Sequence, residues 1–303
     1  MLRWTQPIGT TFVMKIDSAL VSTEWLTDHL GQADLRIYDT TVYLKPKEGG
    51  GGYQTDSGRE GWAKAHVPGA GFLDLITEFA DTTTKIPFMM PPAIRFGELA
   101  AEHGVSDGTQ VVLYNDGMPM WATRAWWMLR SVGFESVAVL DGGWQKWQRE
   151  GRPVSDAEAN YPIGKLSLNP RPDMWADKGD MLRIMEDGSA CTVNALSPEV
   201  YSGETNRYGR AGHIPGSHNV YYGSLIDADT GAFLPSADLR EKFRNNGALD
   251  AERIVVYCGG GISATMDALA LHLAGHKNIA IYDGSMSEWV ADESLPLTIG
   301  QAP

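Results

Sequence analysis

Cysteine is nearly absent from this chain of 303 residues, which has only Cys191 and Cys258. Two thiols in segments of unlike character exclude a disulfide-stapled scaffold and suit a reducing compartment. No Cys/His cluster with metal-ligand spacing occurs, so neither a metal nor an organic cofactor is expected. Positive charge is also scarce. Lys and Arg number 25 against 38 Asp and Glu, a formal charge of −13, which repels nucleic acid and anionic membrane surfaces. Long apolar runs are missing too: none approaches the roughly 18–20 residues of a membrane-spanning helix. Met1–Val13 likewise lacks the continuous apolar segment of a secretory signal. The expected partners are therefore small molecules, with no nucleic acid and no membrane, and the expected location is the cytoplasm.

What the chain does have is enough apolar residues for real cores, 43% hydrophobic and 10% aromatic, and a length beyond the usual ~100–200 residues of one domain. It also repeats itself. Ala65-His-Val-Pro-Gly-Ala70 returns as Gly212-His-Ile-Pro-Gly-Ser217, and Gln110-Val-Val-Leu-Tyr-Asn115 returns as Arg253-Ile-Val-Val-Tyr-Cys258. Each of the latter precedes a helix, expected over 122–132 and 264–274. Val137-Ala-Val-Leu-Asp141-Gly-Gly and Ile279-Ala-Ile-Tyr-Asp283-Gly-Ser close the two copies. Short apolar strands alternating with helices imply an α/β fold, with parallel sheets and helices on both faces. The expected layout is an N-terminal extension over 1–15, a first domain over 16–154, a Pro- and Asn-rich linker over 155–178 and a second domain over 179–303.

The segment that carries chemistry is Arg253-Ile-Val-Val-Tyr-Cys258-Gly-Gly-Gly-Ile-Ser-Ala264. It is an apolar strand that delivers a thiol into a glycine loop just before a helix. Reactive groups of parallel sheets lie beyond the carboxyl ends of the strands, where Cys258 and its counterpart Asn115 both fall. Loop amides backed by a helix N-terminus favour an anion at the sulfur, and the thiolate is the reactive form of cysteine. Met266, Leu269, Ala270 and Leu273 repeat as one buried helical face, with Gly275 as the terminating residue. Bare residues at Gly259, Gly260 and Gly261 let a backbone close around a small group. The cradle expected around the sulfur runs through Gly259, Gly260, Gly261, Ile262, Ser263 and Ala264. Ser263 either faces the sulfur or caps the helix.

With His213-Ile-Pro-Gly216, the loop Cys258–Ala264, the turn at Asp283 and the duplication, the chain resembles the two-domain sulfurtransferases of the rhodanese family over roughly residues 16–300. The resemblance implies tandem rhodanese-like domains, the first without a catalytic cysteine. It also implies that Cys258 takes sulfur from thiosulfate or 3-mercaptopyruvate as a persulfide and passes it to cyanide or a thiol, a protein acceptor included. Thiosulfate-type members usually carry basic residues directly after the cysteine, where this chain has Gly259 and Gly260. Mercaptopyruvate-type members usually have a serine two positions on, where Gly260 stands, linked to a histidine and an acid of the first domain. His66, with Asp56 or Glu60 nearby, is the candidate for that histidine, against a backbone-bonded structural role for it and for His213. At the strand end where the family often has an acid and an arginine the chain reads Asn194-Ala-Leu196, with Val200 where an arginine is frequent. Arg207 and Arg210 are therefore the candidate donor anchors, and Arg124 is read as a helix-surface or interdomain ion pair. Three other readings remain. A cysteine phosphatase would need an arginine six residues after the cysteine, where Ala264 stands. A non-enzymatic persulfide carrier or redox sensor would use the same thiol. A purely structural duplicate would be indifferent to its loss.

Overall fold

The repeat read in the sequence is a repeat of sheets. The computed structural model describes residues 16–47 and 53–303; the expected N-terminal extension lies outside them. The strands are β1 Leu20–Val21, β2 Leu35–Asp39, β3 Val42–Pro46, β4 Tyr53–Ser57, β5 Ala70–Phe72, β6 Gln110–Tyr114, β7 Val137–Leu140, β8 Trp175–Ala176, β9 Cys191–Asn194, β10 Ser217–Asn219, β11 Ile254–Tyr257 and β12 Ile279–Tyr282. The helices are α1 Thr23–His29, α2 Arg59–Lys64, α3 Ala93–Glu102, α4 Met120–Ser131, α5 Gly143–Arg149, α6 Lys178–Asp187, α7 Pro198–Tyr201, α8 Ser236–Asn245, α9 Ala264–Leu273 and α10 Ser285–Trp289.

The first sheet has the order β1-β7-β6-β2-β5 and the second, in the same spatial sense, β8-β12-β11-β9-β10. Every pairing in both is parallel. Central strands β6 and β11 are buried at every position, as a parallel sheet covered on both faces requires, which is why 111–114 and 254–257 read as unbroken Val/Ile/Leu/Tyr runs. Even the pinning of the His-Pro-Gly turns repeats. Val67 N–H donates to the Tyr114 hydroxyl at 3.2 Å, and Ile214 N–H to the Tyr257 hydroxyl at 3.0 Å.

The segment expected to be a linker needs correction. Trp175–Ala176 within 155–178 is the edge strand β8, paired with β12. Upstream of it the chain is strapped to the first domain. Tyr161 accepts from Ile37 N–H and donates to the Gly69 carbonyl, and Asn169 N–H donates to the Val132 carbonyl at 2.9 Å.

Helix α9 also departs from expectation. A single apolar face was expected, yet Ala264–Leu271 are all buried, because α4 of the first domain lies against the face that water would otherwise wet. The seam between the two helices holds a hydrogen bond of 2.7 Å between the Thr123 and Thr265 hydroxyls. It also holds an Arg130–His272 contact at 3.3 Å. Burial, and then the Arg130 charge, push His272 down to about 4, so a neutral imidazole accepts from the guanidinium. The helix stops at Gly275, whose φ of +90° is the left-handed conformation that glycine adopts without strain.

Candidate functional site

Cys258 is the first residue past β11, at the carboxyl edge of the sheet. Its side chain lines a cavity of about 540 Å³ between the domains, walled by α4, the β3–β4 hairpin, α10 and the loop 258–263.

The loop is shaped from outside. Met286 N–H donates to the Cys258 carbonyl at 3.0 Å, and Ser287 N–H and hydroxyl donate to the Gly259 carbonyl at 2.8 and 2.6 Å. Arg124 Nη1 donates to the Gly261 carbonyl at 3.2 Å. In a trans peptide the carbonyl and the following N–H point oppositely. Three carbonyls drawn outward therefore turn the amides of Gly259, Gly260 and Ile262 inward. Those three amides, with Ser263 and Ala264 at the start of α9, make no hydrogen bond among the described residues. Free amides just ahead of a helix N-terminus are an arrangement that suits an anion. Gly261 is an exception to the expected ring, because its amide and that of Cys258 both donate to the Ser285 hydroxyl at 3.1 Å.

Ser285 is a functional residue that the sequence reading passed over. It is fully buried, donates to the Tyr282 carbonyl at 2.7 Å and holds φ at +49°. Serine in the left-handed region carries strain of about 1–3 kcal/mol, tolerated where the surroundings over-determine it. The signal was available, since the matching turn of the first domain has Gly143, with φ +55°. Two of the loop glycines are sterically required. A Cβ on Gly259 would stand 1.9 Å from the Tyr208 hydroxyl, and one on Gly261, with φ +72°, would stand 2.8 Å from Asp283 atoms. Gly260 is different, with only Ser287 and Phe88 atoms near the 4 Å limit, so the serine of mercaptopyruvate-type relatives is missing without being excluded.

Arg124 is the interdomain staple. Its guanidinium, 1% exposed, pairs with Asp283 at 2.6 Å, donates to the Phe88 carbonyl at 2.7 Å and lies 4.9 Å over the Trp175 ring. Asp283 uses its other oxygen to accept from Met90 N–H at 2.7 Å.

Asp267, one turn into α9, is another unforeseen neighbour of the thiol. It is fully buried and neither oxygen has a hydrogen-bond partner among the described residues. Burial first, then the Cys258 charge, hold its carboxyl well above the usual carboxylate range, so the proton stays on the acid and no second anion opposes the sulfur. The native state then binds a proton that the unfolded chain has already lost above about pH 4, and stability falls as pH rises toward the native pKa. Asp267→Asn should remove that slope, so that its stability gains on the parent as pH rises above the carboxyl's unfolded value of about 4. Denaturant unfolding checks it, and parallel curves for the two proteins would mean a charged native carboxyl.

The other expected site residues separate. Ser263 makes no capping bond and lines the cavity. His66 is corrected to a structural role: fully buried off the cavity, its Nδ1 is 2.7 Å from the Trp62 carbonyl and its Nε2 3.0 Å from that of Ala157. His213 is alike, stacked on Tyr201 at 3.7 Å with burial holding it below the usual histidine range. Arg210 is also corrected, since it donates to the carbonyls of Asp292 and Leu295 at 3.0 and 2.7 Å. Arg207 lies over the Tyr53 ring at 5.3 Å, beside the cavity and outside its lining. Among the described residues the one cation that lines the cavity is Lys47, exposed at its mouth. Cys191 opens β9 at the amino end of the sheet, and burial pushes its thiol up to about 11. Among the described residues no group of three or more His, Cys, Asp or Glu is placed to hold a metal.

Comparison with known proteins agrees with this geometry. The rhodanese-like domain family matches residues 22–150 and 182–292. The chain is 32% identical over 284 residues to the thiosulfate sulfurtransferase of Rattus norvegicus, covering 89% of this chain and 91% of that one. It is 30% identical over 280 residues to the 3-mercaptopyruvate sulfurtransferase of Escherichia coli K12, covering 91% and 96%. The crystal structure of SseA from Escherichia coli, described as a 3-mercaptopyruvate sulfotransferase with the rhodanese fold, superposes with a TM-score of 0.77 at 28% identity, covering 88% and 98%.

Proposed function

Because the chain belongs to the rhodanese-like family, we propose that it is a sulfurtransferase that moves a sulfane sulfur from 3-mercaptopyruvate or thiosulfate to cyanide or a thiol through a persulfide on Cys258. The observation that carries this is the set of five amides in the loop directly after Cys258 that make no hydrogen bond among the described residues, with the intervening carbonyls tied back. The Cys258 thiolate attacks the outer sulfur of the donor. With thiosulfate the S–S bond breaks and sulfite leaves with the electron pair. With 3-mercaptopyruvate the C–S bond breaks and the pair stays on carbon as the pyruvate enolate, which takes up a proton. The cradle is complementary to the anionic sulfur in both half-reactions. The acceptor then attacks the outer sulfur and returns the Cys258 thiolate. The cradle lacks the arginine that a phosphate dianion would need, since Ala264 stands there.

Lys47 replaces Arg210 as the anchor for the anionic end of the donor. Lys47→Ala should raise KM for 3-mercaptopyruvate roughly two- to fivefold with kcat little changed, the scale of an exposed ion pair of about 0.2–1 kcal/mol. An unchanged KM would remove it from donor binding. A cytoplasmic setting suits a thiol that must stay unpaired. A protein thiol that reaches the mouth is a further acceptor, whereas the net negative charge disfavours nucleic acid and anionic membranes.

The test is loading. Incubation with either donor should add one sulfur to the peptide that contains Cys258 and none to that of Cys191, read by mass spectrometry, and cyanide should strip it as thiocyanate with repeated turnover. Sulfur on neither thiol would overturn the assignment. Loading discharged only by a protein partner would mark a carrier.

A further inference from the structure

A cavity of about 540 Å³ is far larger than cyanide or sulfite needs and lies in the range of sites that enclose most of an organic ligand. Five rings stand in its walls among aliphatic side chains such as Leu44, Met120, Leu196 and Val290: Phe88 and Trp121 meet edge to face at 5.2 Å, and Tyr53, Tyr208 and Tyr222 join them. Phe88 is held at φ +66°, and it and Ser285 are the two non-glycine residues with positive φ among those described. Such a conformation for a bulky residue is an outlier that persists where function or packing demands it. Here the Phe88 carbonyl is held by Arg124, while its ring lines the cavity. Tyr208 and Tyr222 have their phenols raised, chiefly by burial, with the Cys258 charge adding to it, so both stay protonated beside the sulfur. Trp121 is 1% exposed and its Nε1 has no acceptor among the described residues. A simple dianion site would be expected to bring several cations together near the sulfur. Among the described residues this lining has one cation, Lys47, at the mouth.

We propose that the cavity selects an organic sulfur acceptor bearing an aromatic ring, which stacks among Phe88, Trp121 and Tyr222 while its thiolate faces Cys258. The inference rests on the Cys258 persulfide reading above. In the step, the acceptor thiolate forms a bond to the outer sulfur and the Cys258–sulfur bond breaks. The electron pair returns to Cys258 as thiolate, and the acceptor leaves as a hydropersulfide anion. No external oxidant or reductant is involved.

The experiment loads the full chain with 3-mercaptopyruvate, confirms the added sulfur by mass, and measures discharge by two thiols of like basicity and hydrophobicity, 2-phenylethanethiol and n-hexanethiol. Contacts with two rings predict a rate constant at least about tenfold higher for the aromatic thiol, equivalent to ~1.4 kcal/mol. The ratio should fall to within about twofold in Tyr222→Leu and in Trp121→Leu; because it is taken within each protein, it is insensitive to loss of overall activity. Tyr222 is only half buried, so its variant keeps the test open if Trp121→Leu does not fold. Equal rates in the parent, or a preference that survives substitution, would overturn the proposal while leaving sulfur transfer standing. Failure to load Cys258 at all would remove both.

Discussion

Cys258→Ser is expected to lower turnover with either donor by at least ~10⁴-fold, the scale on which removal of a nucleophile acts, while changing stability by less than about 1.5 kcal/mol. Serine fills nearly the same volume at the end of β11, so the loop and its outward carbonyl bonds survive. The hydroxyl, however, has no accessible anionic form near neutral pH for the five free amides to hold. Cys191→Ser is the matched control. That thiol opens β9 at the far end of the strand, is pushed up to about 11 by burial and lies outside the cavity lining, so its loss should leave kcat and KM unchanged. Steady-state rates with both donors decide it. Full turnover in the Cys258 variant, or collapse in the Cys191 variant, would move the chemistry elsewhere.

Arg124→Met should lower kcat by about 10²–10³-fold, although Arg124 lies outside the cavity lining. Removing the guanidinium strands the Asp283 carboxylate, 9% exposed on its side chain, and breaking a buried pair from one side costs about 3–5 kcal/mol. It also frees the carbonyls of Gly261 and Phe88, so the Ile262 amide loses its fixed direction. Loss of one such donor to a developing anion is worth about 10²–10³ in kcat. The effect belongs in kcat, with KM for the donor little changed, because Arg124 shapes the cradle rather than the donor subsite. Asp283→Asn alone should cost less, and the double variant should cost less than the two singles together, since the stranded charge is gone. A variant at Arg124 with normal kcat and a simple loss of stability would show that the contact to Gly261 is incidental.

The fold was legible because its information is periodic and local. The buried runs 110–114 and 254–257, the paired His-Pro-Gly turns and the glycine after α9 each report a structural need that no distant residue modifies, and their repetition multiplied the signal. Cys258 and its loop were legible for the same reason: thiol, glycines and helix start are contiguous. What escaped was set by partners far away in the chain. His66 and Arg210 looked like ligands because composition cannot reveal that backbone carbonyls, at Trp62 and Ala157 or at Asp292 and Leu295, already occupy them. The aromatic lining gathers residues 53, 88, 121, 208 and 222 from five separate segments, a convergence that only the closed fold produces. Asp267 gave a weak local sign, an acid inside an otherwise apolar helix, and Ser285 another, a serine where the other copy has glycine.

The half without a thiol is accordingly no vestige. Its helix α4 dries the outer side of α9, its arginine orients a peptide plane next to the sulfur, and its hairpin forms part of the rim through Leu44 and Tyr53. Excision of residues 16–154 would leave the remaining half with an oily flank bared to solvent and its reactive centre roofless. The half that bears Cys258 thus borrows from its twin both a dry backing and part of a wall.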